Sequence, residues 1–238
     1  MYRNSERFLT AFNRIEKKMK SIIKNGRNLG FSKMVHMLKH RNAIVGRYSD
    51  DLLEFAELRN AIVHNKIDMS HAIAEPHDST VRRIEFIERE LLQPRTVAPQ
   101  FIKTVYALEQ AEPFSKLLSL IHKKKVTKFP IYHKGEFKGL ISQRAIAFWL
   151  AGNMHNSKKL PEEVTIKEVL AYETRENYRF ISKDTSLLEA IDIFKRNIGR
   201  GNRLEALLIT ENGDPSEELI GIITNFDIIG LQHDYRNV

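Results

Sequence analysis

The chain of 238 residues, 42% apolar and 29% charged, suits one large domain or two modest ones and is too balanced for wholesale disorder. It contains no cysteine, which excludes a disulfide scaffold, thiolate metal ligands and a cysteine nucleophile. No apolar run approaches the roughly 18 residues of a membrane helix and no secretory signal pattern is visible, so a cytoplasmic protein that uses no membrane is expected. Charge is uneven. In residues 1–50, twelve Lys and Arg face only Glu6, Glu16 and Asp50, so this part holds more than the whole chain's net charge of +8. A basic N-terminal part on a near-neutral remainder reads as two modules, the first either attracting a polyanion or simply presenting a solvated Lys/Arg face.

From Ser5, apolar Phe8, Leu9, Phe12, Ile15, Met19, Ile22 and Ile23 recur at steps of three and four, the mark of one helix face, and Asn25-Gly26 supplies a stop. A second helix is predicted over residues 31–48. A third starts at Ser49, read as its N-cap, with Asp50 and Asp51 where carboxylates suit the helix dipole. A fourth, over 79–92 with Val81, Ile84, Ile87 and Leu91, hands over to the next module.

From about Gln93, short β-rich runs alternate with helices, and the pattern occurs twice. One copy runs from a helix opened by Pro113 through Phe129-Pro130-Ile131-Tyr132 and a Lys134-Gly135 turn to Gly139-Leu140-Ile141-Ser142 and a helix. The other runs from Ser186 through a strand at 205–210 and Asn212-Gly213-Asp214 to Gly221-Ile222-Ile223-Thr224 and a helix. The Pro113–Gly139 spacing is 26 and the Ser186–Gly221 spacing 35, the excess falling in longer loops at 198–203 and 212–218. Two degenerate copies imply a pseudo-symmetric pair sharing one core. The pattern of helix, x-Pro-Ile strand, turn and Gly-φ-φ-Thr/Ser-x-x-Asp resembles the cystathionine-β-synthase (CBS) domain, whose tandem pairs bind adenine nucleotides.

Leu58-Arg59-Asn60-Ala61-Ile62-Val63-His64-Asn65 carries residues suited to chemistry. Asn60 and His64, four apart, share a helix face, and Arg59 can reach the same cleft. Cleaving RNA through its 2′-hydroxyl needs a base, an acid and positive charge on the phosphate; histidine and arginine supply these types. One copy offers one of each and a two-fold dimer two. No metal is needed, and no carboxylate or histidine cluster at ligand spacing is visible. A plainer reading stands beside it: Arg59 pairs with Glu54 or Glu57, and His64-Asn65 merely ends the helix. A nearby Arg41-Asn42-Ala43-Ile44-Val45-Gly46 nearly repeats the string without the histidine. The segment resembles the Arg-polar-x-x-x-His signature of HEPN domains, small helical bundles that are usually dimeric and often metal-independent ribonucleases. The variant signature with a tyrosine two residues after the histidine, found in relatives tied to nucleotidyl transfer, is not matched, because that place holds Lys66.

The CBS resemblance assigns Thr224 to a phosphate and Asp227 to ribose hydroxyls. In the first copy Ser142 keeps the hydroxyl, Arg144 is placed to meet phosphate and Ala145 replaces the carboxylate, so one competent site, at the second copy, is expected. Thr224 and Asp227 also fit a helix capping box, and Arg200-Gly201-Asn202-Arg203 is either a phosphate loop or a solvated turn.

The combined expectation is an α+β chain: a HEPN-like helical bundle over 1–78, a linker helix over 79–92, and CBS units of βαββα type over 93–155 and 156–238. The first function expected is a dimeric endoribonuclease working through Arg59, Asn60 and His64, with RNA as partner. Its regulatory ligand would be an adenine nucleotide (AMP, ADP, ATP or a cyclic dinucleotide), held by Thr224, Asp227, Ser142 and Arg144. The alternative is a non-catalytic nucleotide sensor whose helical part dimerises or docks a partner.

Overall fold

The computed structural model describes residues 4–23, 28–64, 75–153, 161–174, 176–199 and 201–234; the side chains of His64 and of 232–234 stand outside that description. Asn25, Gly26, Asn65, Lys66 and Arg200, named above, lie outside the described residues. The chain divides into two compact units, Met1–Arg95 and Thr96–Val238. The first is helical and the second mixes helices with two small sheets.

The helical unit is built from α1 (Asn4–Ile22), α2 (Phe31–Leu38), α3 (Ala43–Arg47), α4 (Ser49–His64) and α5 (Asp78–Leu92). The apolar stripe of α1, Phe8, Ala11, Phe12, Ile15 and Met19, is buried as its spacing requires. Phe12 stacks on Phe31 of α2 at 4.2 Å, and Phe8 meets Phe55 of α4 edge-on at 5.7 Å. The segment expected as a hand-over between modules packs instead along α1 as α5. Arg7 donates through Nε and Nη2 to the two carboxylate oxygens of Glu85 at 3.0 and 2.8 Å, and Arg14 reaches Glu88 at 3.1 Å. Solvent screens these exposed ion pairs, so they add little to stability; their larger effect is to neutralise part of the basic excess of α1.

The helix predicted over 31–48 is two helices. Asn42 accepts hydrogen bonds from the amides of Ile44 and Val45 at 3.1 and 3.0 Å, which caps α3 and ends the run from α2. Gly46 then lets α3 fold back, since a Cβ there would lie 2.4 Å from the Lys39 carbonyl oxygen. Ser49 lies inside α4; the carbonyl that accepts its first bond, from Leu52 at 2.9 Å, belongs to Tyr48.

The second unit repeats one topology. The first repeat runs β1 (Leu108–Glu109), α6 (Phe114–Lys124), β2 (Phe129–His133), β3 (Glu136–Ile141) and α7 (Gln143–Asn153). After the short α8 (Ile166–Leu170), the second runs β4 (Tyr178–Ser182), α9 (Leu187–Gly199), β5 (Ala206–Thr210), β6 (Gly221–Thr224) and α10 (Asn225–Asp234). Each sheet has its strands in chain order, the first two parallel and the last two antiparallel. A parallel pair needs a crossover, which α6 and α9 provide, whereas an antiparallel pair closes through a hairpin. Trp149 lies edge-on to Phe114, 4.9 Å away, inside the first repeat's core with Val164, Ile166 and Val169. A second cluster, Leu140, Ala206, Leu208 and Ile222 with Phe137, Tyr178 and Phe180 around it, draws on both sheets. The repeats thus share an apolar seam.

Candidate functional site

In the helical unit, Arg59 and Asn60 sit in the last turns of α4, Arg59 half-buried and Asn60 exposed. The Arg59 Nη1 group donates to Asn60 Oδ1 at 3.4 Å. Among the described residues no ion pair joins Arg59 to Glu54 or Glu57, so the structure brings the guanidinium to the amide rather than to those carboxylates. His64 ends α4 one turn beyond Asn60.

In the second unit, candidate residues gather where the last strand of each repeat turns into a helix. At the second repeat, the amide and hydroxyl of Thr224 both donate to Asp227 Oδ2, each at 2.7 Å. That is one half of a capping box, the carboxylate taking both donors from the first turn of α10, where the dipole favours it. Lys103 Nζ stands 3.7 Å from Asp227 Oδ1. The irregular segment leading to Lys103 passes close here: a Cβ on Gly221 would strike the Phe101 carbonyl oxygen.

At the first repeat, Ser142 is fully buried and caps α7, its Oγ accepting from the Arg144 amide at 3.3 Å. Its own amide and hydroxyl donate to Glu173 Oε2 at 2.9 and 2.6 Å. The hydroxyl expected to meet phosphate is therefore engaged by a carboxylate from the connector between α8 and β4.

Two clefts meet beside this junction, and Thr174 lines both. One, about 560 Å³, is lined by Arg144, Thr174, Glu176, Gly201, Asn202 and Arg203. The other, about 690 Å³, includes Gly139, Leu140, Glu173, Thr174, Asn177 and Tyr178. Arg144 lies over the Phe148 ring at 5.0 Å, and its Nε is buried without a hydrogen-bond partner. Asn177 is fully buried; its Nδ2 donates to the Leu140 carbonyl at 3.0 Å, while its Oδ1 is left unpartnered. Buried polar atoms are nearly always satisfied, so these two stand out among the described residues. Burial also raises the pKa of Tyr178.

The structure thus brings Arg144 and the 201–203 loop, read separately in the sequence, to one cleft. It places Thr224 and Asp227 together at the other junction. Sequence reading missed Glu173, Thr174 and Asn177. The one hint was the missing carboxylate at Ala145, which asks for a replacement without saying where it lies. Among the described residues, no group of three or more His, Asp or Glu is placed to hold a metal ion, and no helix is long and apolar enough to cross a membrane.

Residues 166–234 match the family model of the CBS domain. That stretch takes in α8 and the second repeat, and the first repeat shares its strand order and directions. Among solved structures, the chain is similar to the CBS domain pair of protein MJ0100 in complex with 5′-methylthioadenosine and S-adenosyl-L-methionine, at 19% identity over 60% of this chain and 98% of that one, with a TM-score of 0.45. It is also similar to a putative acetoin utilization protein (AcuB) from Vibrio cholerae, at 17% identity over 60% and 93% with a TM-score of 0.43. A third similarity is to the CBS domain of a putative transporter from Clostridium difficile 630, at 15% identity over 61% and 98% with a TM-score of 0.44. No curated protein matches the chain.

Proposed function

We propose that the C-terminal unit is a regulatory module that binds an adenine nucleotide in the paired clefts beside the first repeat. The observation that carries this reading is the convergence of Arg144, with its unpartnered buried Nε, and Arg203 on one cleft. Guanidinium forks suit phosphate oxygens, and the adjoining cleft, with Leu140 and Tyr178 in its wall, suits a nucleoside. Thr224 and Asp227 form the corresponding position of the second repeat, where Lys103 competes for the carboxylate. Calorimetry with AMP, ADP, ATP and a cyclic dinucleotide tests the reading. Saturable binding by at least one, weakened about tenfold or more by Arg203→Ala, is expected; no heat with any of them refutes it.

A second reading concerns the output. Arg59 and Asn60, one turn before His64 on α4, fit the Arg-polar-x-x-x-His signature, and from that resemblance we infer a HEPN-type, metal-independent endoribonuclease. A 2′-oxygen attacks phosphorus, the P–O5′ bond breaks, one imidazole takes the 2′-hydroxyl proton and another protonates the departing 5′-oxygen. Arg59 holds the phosphate and Asn60 orients a proton-transferring group. One chain has one such histidine, so a homodimer supplies the second. Nucleotide control then requires unequal affinity for two arrangements of that dimer. The check is incubation with RNA in EDTA, reading 2′,3′-cyclic phosphate ends. A loss of at least a hundredfold in His64→Ala is expected; cleavage that survives this substitution rejects the assignment and leaves a non-catalytic sensor.

A further inference from the structure

Charge in the helical unit is divided by element. Residues 17–49 contain nine Lys and Arg, two His and no Asp or Glu. The acids that flank this stretch serve other elements. Glu85 and Glu88 of α5 take Arg7 and Arg14 of α1, Asp51 of α4 takes Arg83 of α5, and Glu16 takes Lys20 within α1. The cations that α1 and α5 turn towards each other's neighbourhood are thus largely neutralised, while α2 and the turn after it hold cations and no acid.

Phe31, Met34, Val35 and Leu38 of α2 are buried in the core. The other face presents Lys33, His36 and Met37, and His40 and Arg41 continue it just past the helix, with Lys39 half-buried between. Among the described residues, no ion pair is formed by Lys33, Lys39 or Arg41. Like charges held together without acids repel one another, and a bound polyanion removes that cost. From Lys33 to Arg41 is roughly 12 Å of helix, room for several phosphates in a row.

The rest of the face selects among polyanions. A helix that lies on a membrane needs a broad apolar face turned outward, but Met37 is the one large apolar side chain exposed on α2 and α3. An acidic protein partner would want a central apolar or aromatic anchor, which is absent here for the same reason. Phe31 and Tyr48 are buried, so no Phe or Tyr ring is offered for a base to stack on, and contact falls to the phosphates.

We propose that the exposed face of α2 and the turn after it, centred on Lys33, Lys39 and Arg41, docks the phosphodiester backbone of a nucleic acid without regard to base sequence. Such docking needs no catalysis by His64. It therefore goes beyond the endoribonuclease reading, to which it adds a surface that holds the polymer.

The test is fluorescence anisotropy with short labelled duplexes of 2′-O-methyl RNA, which cannot be cleaved through its 2′-oxygen, and of DNA, each in two unrelated sequences. Wild type should bind at least one polymer, both sequences alike, with log affinity falling against log salt at a slope of about −2 or steeper, as about three neutralised phosphates require. The tighter-bound polymer names the source of the backbone. Lys33→Gln, Lys39→Gln and Arg41→Gln together should weaken binding about tenfold or more and flatten the slope by about 2. Lys123→Gln, Lys124→Gln and Lys195→Gln, which remove the same charge from exposed positions of the second unit, should weaken it less than about threefold. Lys33→Gln alone should flatten the slope by about 0.9, and this single variant decides if the triple one does not fold. No binding of either polymer, equal losses in the two triple variants, or an unchanged slope in Lys33→Gln overturns the proposal. So does wild type that binds anionic vesicles or polyglutamate as tightly, with the same loss in Lys33→Gln. Cleavage assays on His64→Ala decide the endoribonuclease reading separately.

Discussion

The two repeats of the C-terminal unit reach one local arrangement by different routes. In the second, the carboxylate on the Thr224 amide and hydroxyl comes from Asp227, within the same helix turn; in the first, the carboxylate on Ser142 comes from Glu173, in the connector leading to β4. A cap made within one turn forms whenever the helix forms. A cap made across 31 residues forms only when the connector is docked, so the first junction responds to anything that moves the connector. The same contrast holds at the glycines. A Cβ on Gly221 would strike the Phe101 backbone oxygen at 2.2 Å, whereas one on Gly139 would meet the Leu170 side chain at 3.1 Å.

That contrast is sharpest in the glycines. Gly221→Ala should lower the stability of the second unit by about 3 kcal/mol, because a backbone oxygen cannot yield as a side chain does. Gly139→Ala should cost about 1–2 kcal/mol, set mainly by its φ of +155°. Urea denaturation of the two variants checks the order, and equal losses would break the comparison.

Next come the hydroxyls. Ser142→Ala should cost about 2 kcal/mol, since Ser142 is fully buried, caps α7 and donates to Glu173. Thr224→Ala should cost about 1 kcal/mol, because the Thr224 amide still holds Asp227. The same denaturation assay reads both.

The smallest effect is in alkali. Burial raises the phenol pKa of Tyr132, in the first repeat, and of Tyr178, in the second. A phenol whose folded pKa lies above its unfolded value of about 10 adds stability that is complete below that pH and is lost as pH climbs through the folded value. Phenolate absorbance should therefore show late-ionising tyrosines, two of which disappear from the titration in the Tyr132→Phe, Tyr178→Phe double variant.

Much of the fold is legible in the residues. The 3.6-residue stripes of α1 and α5 are unambiguous, and two Gly-φ-φ-Ser/Thr segments in register announce a repeated unit. The break between α2 and α3 is hidden because apolar spacing continues through it; what ends the helix is the Asn42 cap and the close approach at Gly46. Of the candidate site, Arg144, Ser142, Thr224 and Asp227 stand in visible motifs. Glu173 and Asn177 do not, because they act through contacts far along the chain from a polar connector with no periodicity of its own. Their roles emerge only when the fold sets that connector against α7 and β3.

Arg144 and Arg203 converge on one cleft. Calorimetric titration of AMP into wild type and into the Arg144→Ala, Arg203→Ala double variant tests nucleotide binding there most directly. Saturable binding by wild type, weakened at least tenfold in a double variant that remains folded, is the predicted result. No binding by wild type, or equal affinity in both proteins, would contradict it.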